Sequence, residues 1–413
     1  MKRGPDNMTE NNKIGARIKL EPLGMYYALL LGKYGGRLGL SIHFKEPVDP
    51  QILHRAVNDL ARRLPIICGR VKNGFFNCYF QSFTGAPPII FSEKPLDRTD
   101  IETSKNDYAI RILYGERYVT VDSTHIFTDG RGLIQIIRAL LTRYFELAGY
   151  AVDKTGIIDC DGKFDPDENE DAFALYSNKK KTSFPKILKA YRIASNDSCV
   201  TRAKIKTLDL SKIKAAAKSY NTTVTIYILA IAFLAIAADR DKNGSSEPVT
   251  ARMPIDCRNF ISSKTLRNFA ISTQILMSET KDINKMISDI KSQFNKINID
   301  MAQGDVNLFQ NMRKNGTLMP AIMKKLIIKK VFSVEESRYT TSFSNLGIVK
   351  LPSGIEDKIK NIEVLLRGFY VKLPTALPYR FSCVTVGNAL TLTAYTDVNN
   401  DDVINAIFDA LEK

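Results

Sequence analysis

Histidine is scarce in this chain: His43, His54 and His125 are the only three among 413 residues. Six cysteines, Cys68, Cys78, Cys160, Cys199, Cys257 and Cys383, are scattered without a CxxC pair. So few imidazoles and such spaced thiols exclude a zinc site of Cys/His type and provide no disulfide framework, so no metal is expected and a reducing, cytoplasmic compartment is. Cys160 and Cys257 lie in polar stretches but have no neighbouring histidine to activate them, which marks them as ordinary thiols. A long apolar run is also missing. The longest, Val224 to Ala238 (VTIYILAIAFLAIAA), is shorter than the roughly 18 residues needed for a membrane span and ends in Asp239-Arg240-Asp241-Lys242. It predicts a buried helix and no span. The opening MKRGPDNMTENNKIGARIKL has no apolar core, so it predicts a flexible arm over residues 1–19 and not a secretory signal.

What is present is apolar enough to fold. With 44% apolar and 25% charged residues, the chain is globular, and its length suggests two halves on the usual prior of roughly 100–200 residues per domain. A formal charge of +15 would attract phosphates, nucleic acid or acidic proteins. Lysine clusters stand at Lys179 to Lys181 and in Met323 to Lys330 (MKKLIIKK), each open to reading as a solvated face or a docking site. No zinc-finger, RNP or Walker A pattern accompanies them, so nucleic acid is not the expected partner.

Asp49-Pro50 followed by Ile52, Leu53, Ala56, Val57 and Leu60 is a capped amphipathic helix, since Asp accepts from first-turn amides and Pro suits that turn. Alternation predicts strands over Arg37 to Lys45 and Gly74 to Ser82, and a hairpin from Ala109 to Leu113 and Tyr118 to Asp122. A second helix is expected from about Arg131 to Ala148. The acidic, Gly/Pro-bearing stretch Asp153 to Asp171 reads as a crossover, and the halves are placed at 20–190 and 191–413. The second half reads as a strand at Arg202 to Leu208, a short helix from Ser211, the buried helix, strands around Val249 to Ile255 and Phe269 to Met277, and one helix over Ile283 to Met301. Strands at Ile362 to Val371, Arg380 to Val386 and Leu390 to Tyr395, with a Gly387-Asn388 turn, precede a final helix at Asp401 to Leu411. The mixed order predicts α/β (α+β) layers.

The chemistry concentrates in Val121-Asp122-Ser123-Thr124-His125-Ile126-Phe127-Thr128-Asp129-Gly130. This segment leaves a strand and enters a helix, where first-turn amides can stabilise negative charge. His125 there is a candidate general base, since imidazole titrates near neutrality. Asp129 either orients His125 or, as favoured, locks the turn by pairing with an arginine. Gly130 permits an unusual backbone angle or close approach.

T-H-I-F-T-D-G between a strand and an apolar helix resembles the HxxxDG motif of the superfamily that holds chloramphenicol acetyltransferase, peptide-synthetase condensation domains and alcohol acetyltransferases. Ala61 to Val71 (ARRLPIICGRV) is similar to its arginine-bearing segment, and Arg252 to Phe269 (RMPIDCRNFISSKTLRNF) and Ser344 to Pro352 (SNLGIVKLP) resemble segments of the alcohol acetyltransferase branch in matching order. The resemblance implies two acetyltransferase-like halves forming a V-shaped pseudo-dimer with a central tunnel. It implies an acyltransferase that moves an acyl group from coenzyme A or an acidic acyl carrier protein to an alcohol or amine, with no bound cofactor and no acyl-enzyme. His125 becomes the base, and Asp129 is held by an arginine, with Arg63 first and Arg258 second as candidates. Oxyanion donors would be the Gly130 amide and Ser344 or Asn345, the latter two open to a turn-capping role, and Lys324 and Lys325 would be donor-docking residues. Thr124 stands where condensation domains usually carry a first histidine, which favours the standalone acyltransferase over a condensation-type catalyst or a non-catalytic carrier-binding module.

Overall fold

The computed structural model describes residues 17–31, 36–94, 108–178, 189–193, 202–367, 377–396, 398 and 400–413. Lys179 to Lys181, Cys199 and the first 16 residues of the expected arm lie outside them. Residues Arg17–Lys19 close that arm not as a loose tail but as strand β1, paired antiparallel with β4 (Cys78–Ser82). The reason is local: Ile18 is buried between two exposed cations.

The first half opens with helix α1 (Pro22–Leu31), strand β2 (Arg37–Phe44) and helix α2 (Pro50–Arg63). As the sequence predicts, Asp49 caps α2, its carboxylate accepting from the Gln51 and Ile52 amides. Strands β3 (Gly69–Asn73) and β4 form a hairpin that joins β1 in a three-stranded sheet. Strand β5 (Ile89–Phe91) and the hairpin β6 (Ile110–Gly115) and β7 (Tyr118–Thr124) extend the sheet of β2. Helix α3 (Gly130–Leu147) leaves β7 through the five-residue turn bearing His125 and buries Leu133, Ile136, Ile137, Leu140 and Leu141. The crossover then runs through a 3-10 turn at Pro166–Asn169 and a short helix, α4 (Ala172–Tyr176).

Beyond residue 201 come β8 (Arg202–Asp209), α5 (Leu210–Ser219), α6 (Val224–Lys242), β9 (Thr250–Asp256) and β10 (Ala270–Leu276). Apolar on all sides, α6 has to be enclosed, and it sits in a core of Ile228, Leu229, Phe233 and Ile236 with β-sheet and helix neighbours. Among the described residues no single helix is long and apolar enough to cross a membrane; α5 and α6 pass such a test only together, across an 80° bend. The single helix expected over Ile283 to Met301 is two, α7 (Ile283–Phe294) and α8 (Ile299–Asn315). Apolar spacing continues across the break, but Asn298 caps α8 by accepting from the Met301 amide at 3.0 Å, and such a cap starts a new helix. Helix α9 (Ala321–Glu336) carries the MKKLIIKK cluster, and β11 (Thr341–Ile348), β12 (Ile359–Arg367), β13 (Tyr379–Val386), β14 (Ala389–Thr396) and α10 (Asp402–Glu412) complete the chain.

Six strands form the second large sheet, in the order β10-β9-β11-β13-β14-β8. The exception is β12, which leaves it and pairs antiparallel with β2, so the first sheet reads β12-β2-β7-β6-β5. The Tyr395 hydroxyl donates to the Val364 carbonyl and accepts from the Leu366 amide, joining the sheets. The described residues therefore form a mixed α/β molecule of three sheets in which a late strand, β12, completes the sheet of β2.

Candidate active site

β7 ends at Thr124, and the turn that follows is held on every side. The His125 amide donates to the Gly36 carbonyl at 2.6 Å, and Phe127 closes onto Thr124. Beneath the strand, the buried carboxylate of Asp122 takes Arg37 Nε and Arg111 Nε, each at 2.6 Å, on one oxygen. This cluster anchors the strand that presents the histidine.

The histidine ring is set by residues from two distant parts of the chain. Asn268, just before β10, places its Oδ1 3.0 Å from His125 Nδ1. Its Nδ2 donates to the His125 carbonyl at 2.9 Å and to Glu21 Oε1 at 2.7 Å. A backbone carbonyl can only accept, so the Asn268 nitrogen must face it and the oxygen must face the ring. His125 Nδ1 therefore carries the proton, and Nε2 is the basic nitrogen. Glu21, fully buried at the start of α1, accepts in addition from Gly24 N at 3.0 Å and from Arg267 Nη2 at 2.8 Å. Burial pushes its carboxyl up, and Arg267 and Asn268 oppose that rise. The Tyr27 ring lies against the imidazole, with centroids 4.5 Å apart. Burial lowers the His125 pKa, countered in turn by the Asp129 charge, the local backbone and Asn268. Neutral imidazole, the form a base needs, is thus favoured.

Asp129 faces away from the ring. One oxygen caps α3 by accepting from Gly132 N at 2.9 Å; the other accepts from Phe269 N at 2.7 Å and Arg258 Nη1 at 3.0 Å. Arg258 also reaches Asp256 at 2.8 Å and the carbonyls of Thr265 and Arg267. Arg63, named first from the sequence as the partner of Asp129, is instead engaged by Glu168 of the crossover through two bonds of 2.7 Å. That bidentate carboxylate occupies both terminal nitrogens of its guanidinium, while Arg258 and Phe269 come from the segment packed on Asp129. Arg63 acts at one remove, because the Glu168 carbonyl accepts from Leu266 N and so supports the Arg258-to-Asn268 segment.

Gly130 begins α3 beneath the β11 bulge: a Cβ there would overlap the Leu346 side chain. Gly132 is tighter, since a Cβ would run into the Leu266 carbonyl and the Thr128 hydroxyl. Of the two β11 candidates, Ser344 is half-buried in register with Ser382 of β13. Asn345 donates to Thr225 Oγ1 and accepts from Gly347 N, both at 2.8 Å, so it holds the bulge, as a turn-forming residue would. Lys324 is buried, its ammonium bound to the Phe76 carbonyl and Asn77 Oδ1; of the two docking lysines expected, only Lys325 is presented to solvent. Cys257 is buried in apolar surroundings although its sequence neighbours are polar, and burial raises its thiol, as it raises Cys160 to about 12. No group of three or more His, Cys, Asp or Glu placed to hold a metal occurs among the described residues.

Glu21, Tyr27 and Asn268 left only indirect marks in the sequence. Glu21-Pro22 is a helix-start pattern, and Asn268 lies in the segment whose resemblance is noted above, yet neither pattern says that the two side chains meet on His125.

No family model matches this chain, and no curated protein matches it. Solved structures do. Polyketide synthase associated protein 5 from Mycobacterium tuberculosis superposes with a TM-score of 0.64 over 97% of this chain and 98% of that one, at 15% identity. The trichothecene 15-O-acetyltransferase TRI3 from Fusarium sporotrichioides gives 0.59 over 95% and 93%, at 13% identity. TRI101 of F. graminearum, solved with coenzyme A and deoxynivalenol, gives 0.61 over 94% and 96%, at 12% identity. Condensation domains are also among the similar structures. The fold is the one that these acetyltransferases and condensation domains share.

Proposed function

We propose that this protein is an acyltransferase that moves an acyl group from a thioester to an alcohol or amine, with His125 as general base. The observation that carries the reading is the Glu21–Asn268–His125 chain, which keeps the proton on Nδ1 and leaves Nε2 as the base. Nε2 takes the proton of the attacking hydroxyl or amine as its oxygen or nitrogen bonds to the thioester carbon. The oxyanion is held by the Gly130 amide at the start of α3 and by the Ser344 hydroxyl. Collapse breaks the carbon–sulfur bond, and the proton on Nε2 passes to the departing thiolate. No acyl-enzyme forms, and the products are an ester or amide and a free thiol.

The donor and acceptor approach His125 from opposite faces of a channel between halves 20–190 and 191–413, arranged as a V. TRI101 was solved with coenzyme A, which favours an acyl-coenzyme A donor over an acyl carrier protein, and the net charge of +15 suits its phosphates. The alternative, joining two carrier-bound groups, draws on the likeness to condensation domains. A cytoplasmic location rests on the cysteine pattern.

The test is free-thiol release from a panel of acyl-coenzyme A thioesters and carrier-bound thioesters, offered with alcohols and amines. Acceptor-dependent release that falls by roughly 10²–10⁴-fold in His125→Ala is expected. Equal release from wild type and variant on a true substrate pair would end the mechanism.

A further inference from the structure

Helix α9 turns an apolar face to solvent. Ile322 is 73% exposed and Leu326 68%, and Met323, Ile327, Val331 and Val334 continue the strip. At 3.6 residues per turn these positions cover about half of the helix circumference. Two neighbours enlarge the face: Leu318, 84% exposed, just before the helix, and Phe75, 74% exposed, beside Phe76 at the tip of the β3–β4 hairpin. The hairpin is clamped to the helix, for Ala321 N donates to the Phe75 carbonyl at 2.8 Å and the Lys324 ammonium binds the Phe76 carbonyl and Asn77. Helix and aromatic tip therefore form one rigid surface. Scattered exposed apolar residues are ordinary, but a contiguous patch marks an interaction site.

The charge along this face is of one sign up to Val334; the two carboxylates of the helix, Glu335 and Glu336, come at its far end and pair with Arg338 and Arg252. From Val306 to Val334 the sequence has no Asp or Glu and six cations, Arg313, Lys314, Lys324, Lys325, Lys329 and Lys330. Lys325 and Lys329 lie along one edge of the apolar strip, Lys330 emerges within it, and all three are exposed. A lysine inside an apolar strip can lay its methylenes along the strip and lift its ammonium to the edge. That arrangement suits a phase boundary.

We propose that α9 with the Phe75-Phe76 tip is a docking face for an anionic membrane surface, lying in the interface plane without crossing it. An apolar arc with exposed lysines along one edge and one within it suits an interfacial helix, which buries its apolar side among acyl chains while the cations meet acidic headgroups. A second copy fits less well, because it would oppose Lys329 and Lys330 to their equivalents on a chain already carrying +15. An acidic protein answers the lysines but leaves the apolar arc and the aromatic tip unexplained. At its far end α9 holds Glu336, which pairs with Arg252 of β9, and Arg252 lies over the Tyr339 ring at 4.3 Å. Docking would thus bring the bilayer to the same helix that is tied to the central strands.

The test is co-sedimentation of the full chain with vesicles of phosphatidylcholine alone and with 30% phosphatidylserine. Tighter binding to the anionic vesicles is expected, weakening as salt rises. Lys325, Lys329 and Lys330 changed together to Gln should cost roughly a hundredfold in that affinity, about fivefold per lysine. Ile322→Gln with Leu326→Gln should lower binding to both compositions by roughly tenfold or more. All five side chains are exposed, so the melting temperature should stay near wild type. Wild type that remains in the supernatant with anionic vesicles, or variants that bind as wild type does, would overturn the proposal. So would a dimer in sedimentation velocity that disappears in the Ile322/Leu326 variant without lipid binding, since the face would then belong to a second copy. Binding is read without turnover, so this result is separate from that of the acyl-transfer assay.

Discussion

Asp129→Ala should destabilise the fold by about 3–4 kcal/mol, and the figure can be assembled from its contacts. One carboxylate oxygen caps α3 at Gly132 N; losing a cap costs about 0.5–2 kcal/mol. The other accepts from the buried Phe269 amide at 2.7 Å, and leaving such a donor unmet costs about 1–3 kcal/mol. Arg258 adds little further, because Asp256 and the carbonyls of Thr265 and Arg267 still hold its charge. For 413 residues the unfolding entropy is roughly 0.9 kcal/mol/K, so the melting temperature should fall by about 3–5 °C. Asp129→Asn retains the shape and one acceptor, and should lose about half as much. Circular-dichroism melts of wild type, Asp129→Ala and Asp129→Asn decide the matter. A melting temperature for Asp129→Ala within 1 °C of wild type would refute the view that Asp129 locks the turn to the second half.

Other outcomes follow from the same contacts. Asn268→Ala should lower kcat by roughly 10–100-fold with KM little changed, by analogy with partners that orient metal-bound histidines; an unaltered kcat would deny it a positioning role. Burial lowers the His125 pKa, so the base is neutral through pH 7 and is lost as pH falls through that depressed value. The acid limb of kcat/KM should therefore have its midpoint below the ordinary 6.5. Because the Asn268 bond raises the pKa, Asn268→Ala should move that limb lower still, a shift that a purely structural role would not produce. Asp122→Ala leaves Arg37 and Arg111 buried without their shared carboxylate and should cost about 3–5 kcal/mol in urea unfolding; a loss under 1 kcal/mol would show that the pair is compensated elsewhere.

Much of this molecule is written in short stretches of sequence. The cap and apolar spacing of α2, the β6–β7 hairpin, the all-apolar α6 and the strand-to-helix passage through His125 each depend on residues within a few positions of one another. Rules of helix and strand period act over that range, and they sufficed to place the segment around His125 between a strand and a helix. The break between α7 and α8 was hidden because apolar spacing ran through it, although Asn298 at the cap was there to be read.

Tertiary structure decided the rest. Arg63 and Arg258 are equal candidates by charge; the choice fell to Arg258 because Glu168 meets Arg63 and the 256–269 segment packs on Asp129. Lys324 looks like its neighbours in MKKLIIKK, but the hairpin tip withdraws it while leaving Lys325 outside. The tautomer of His125 depends on Asn268, 143 residues later, and on Glu21, which is 247 residues from Asn268. Strand β12 joins β2 across more than three hundred residues. A sequence determines what each side chain can donate, accept or bury; which partner it finds depends on what the fold places within about 3 Å, and no local pattern extends that far.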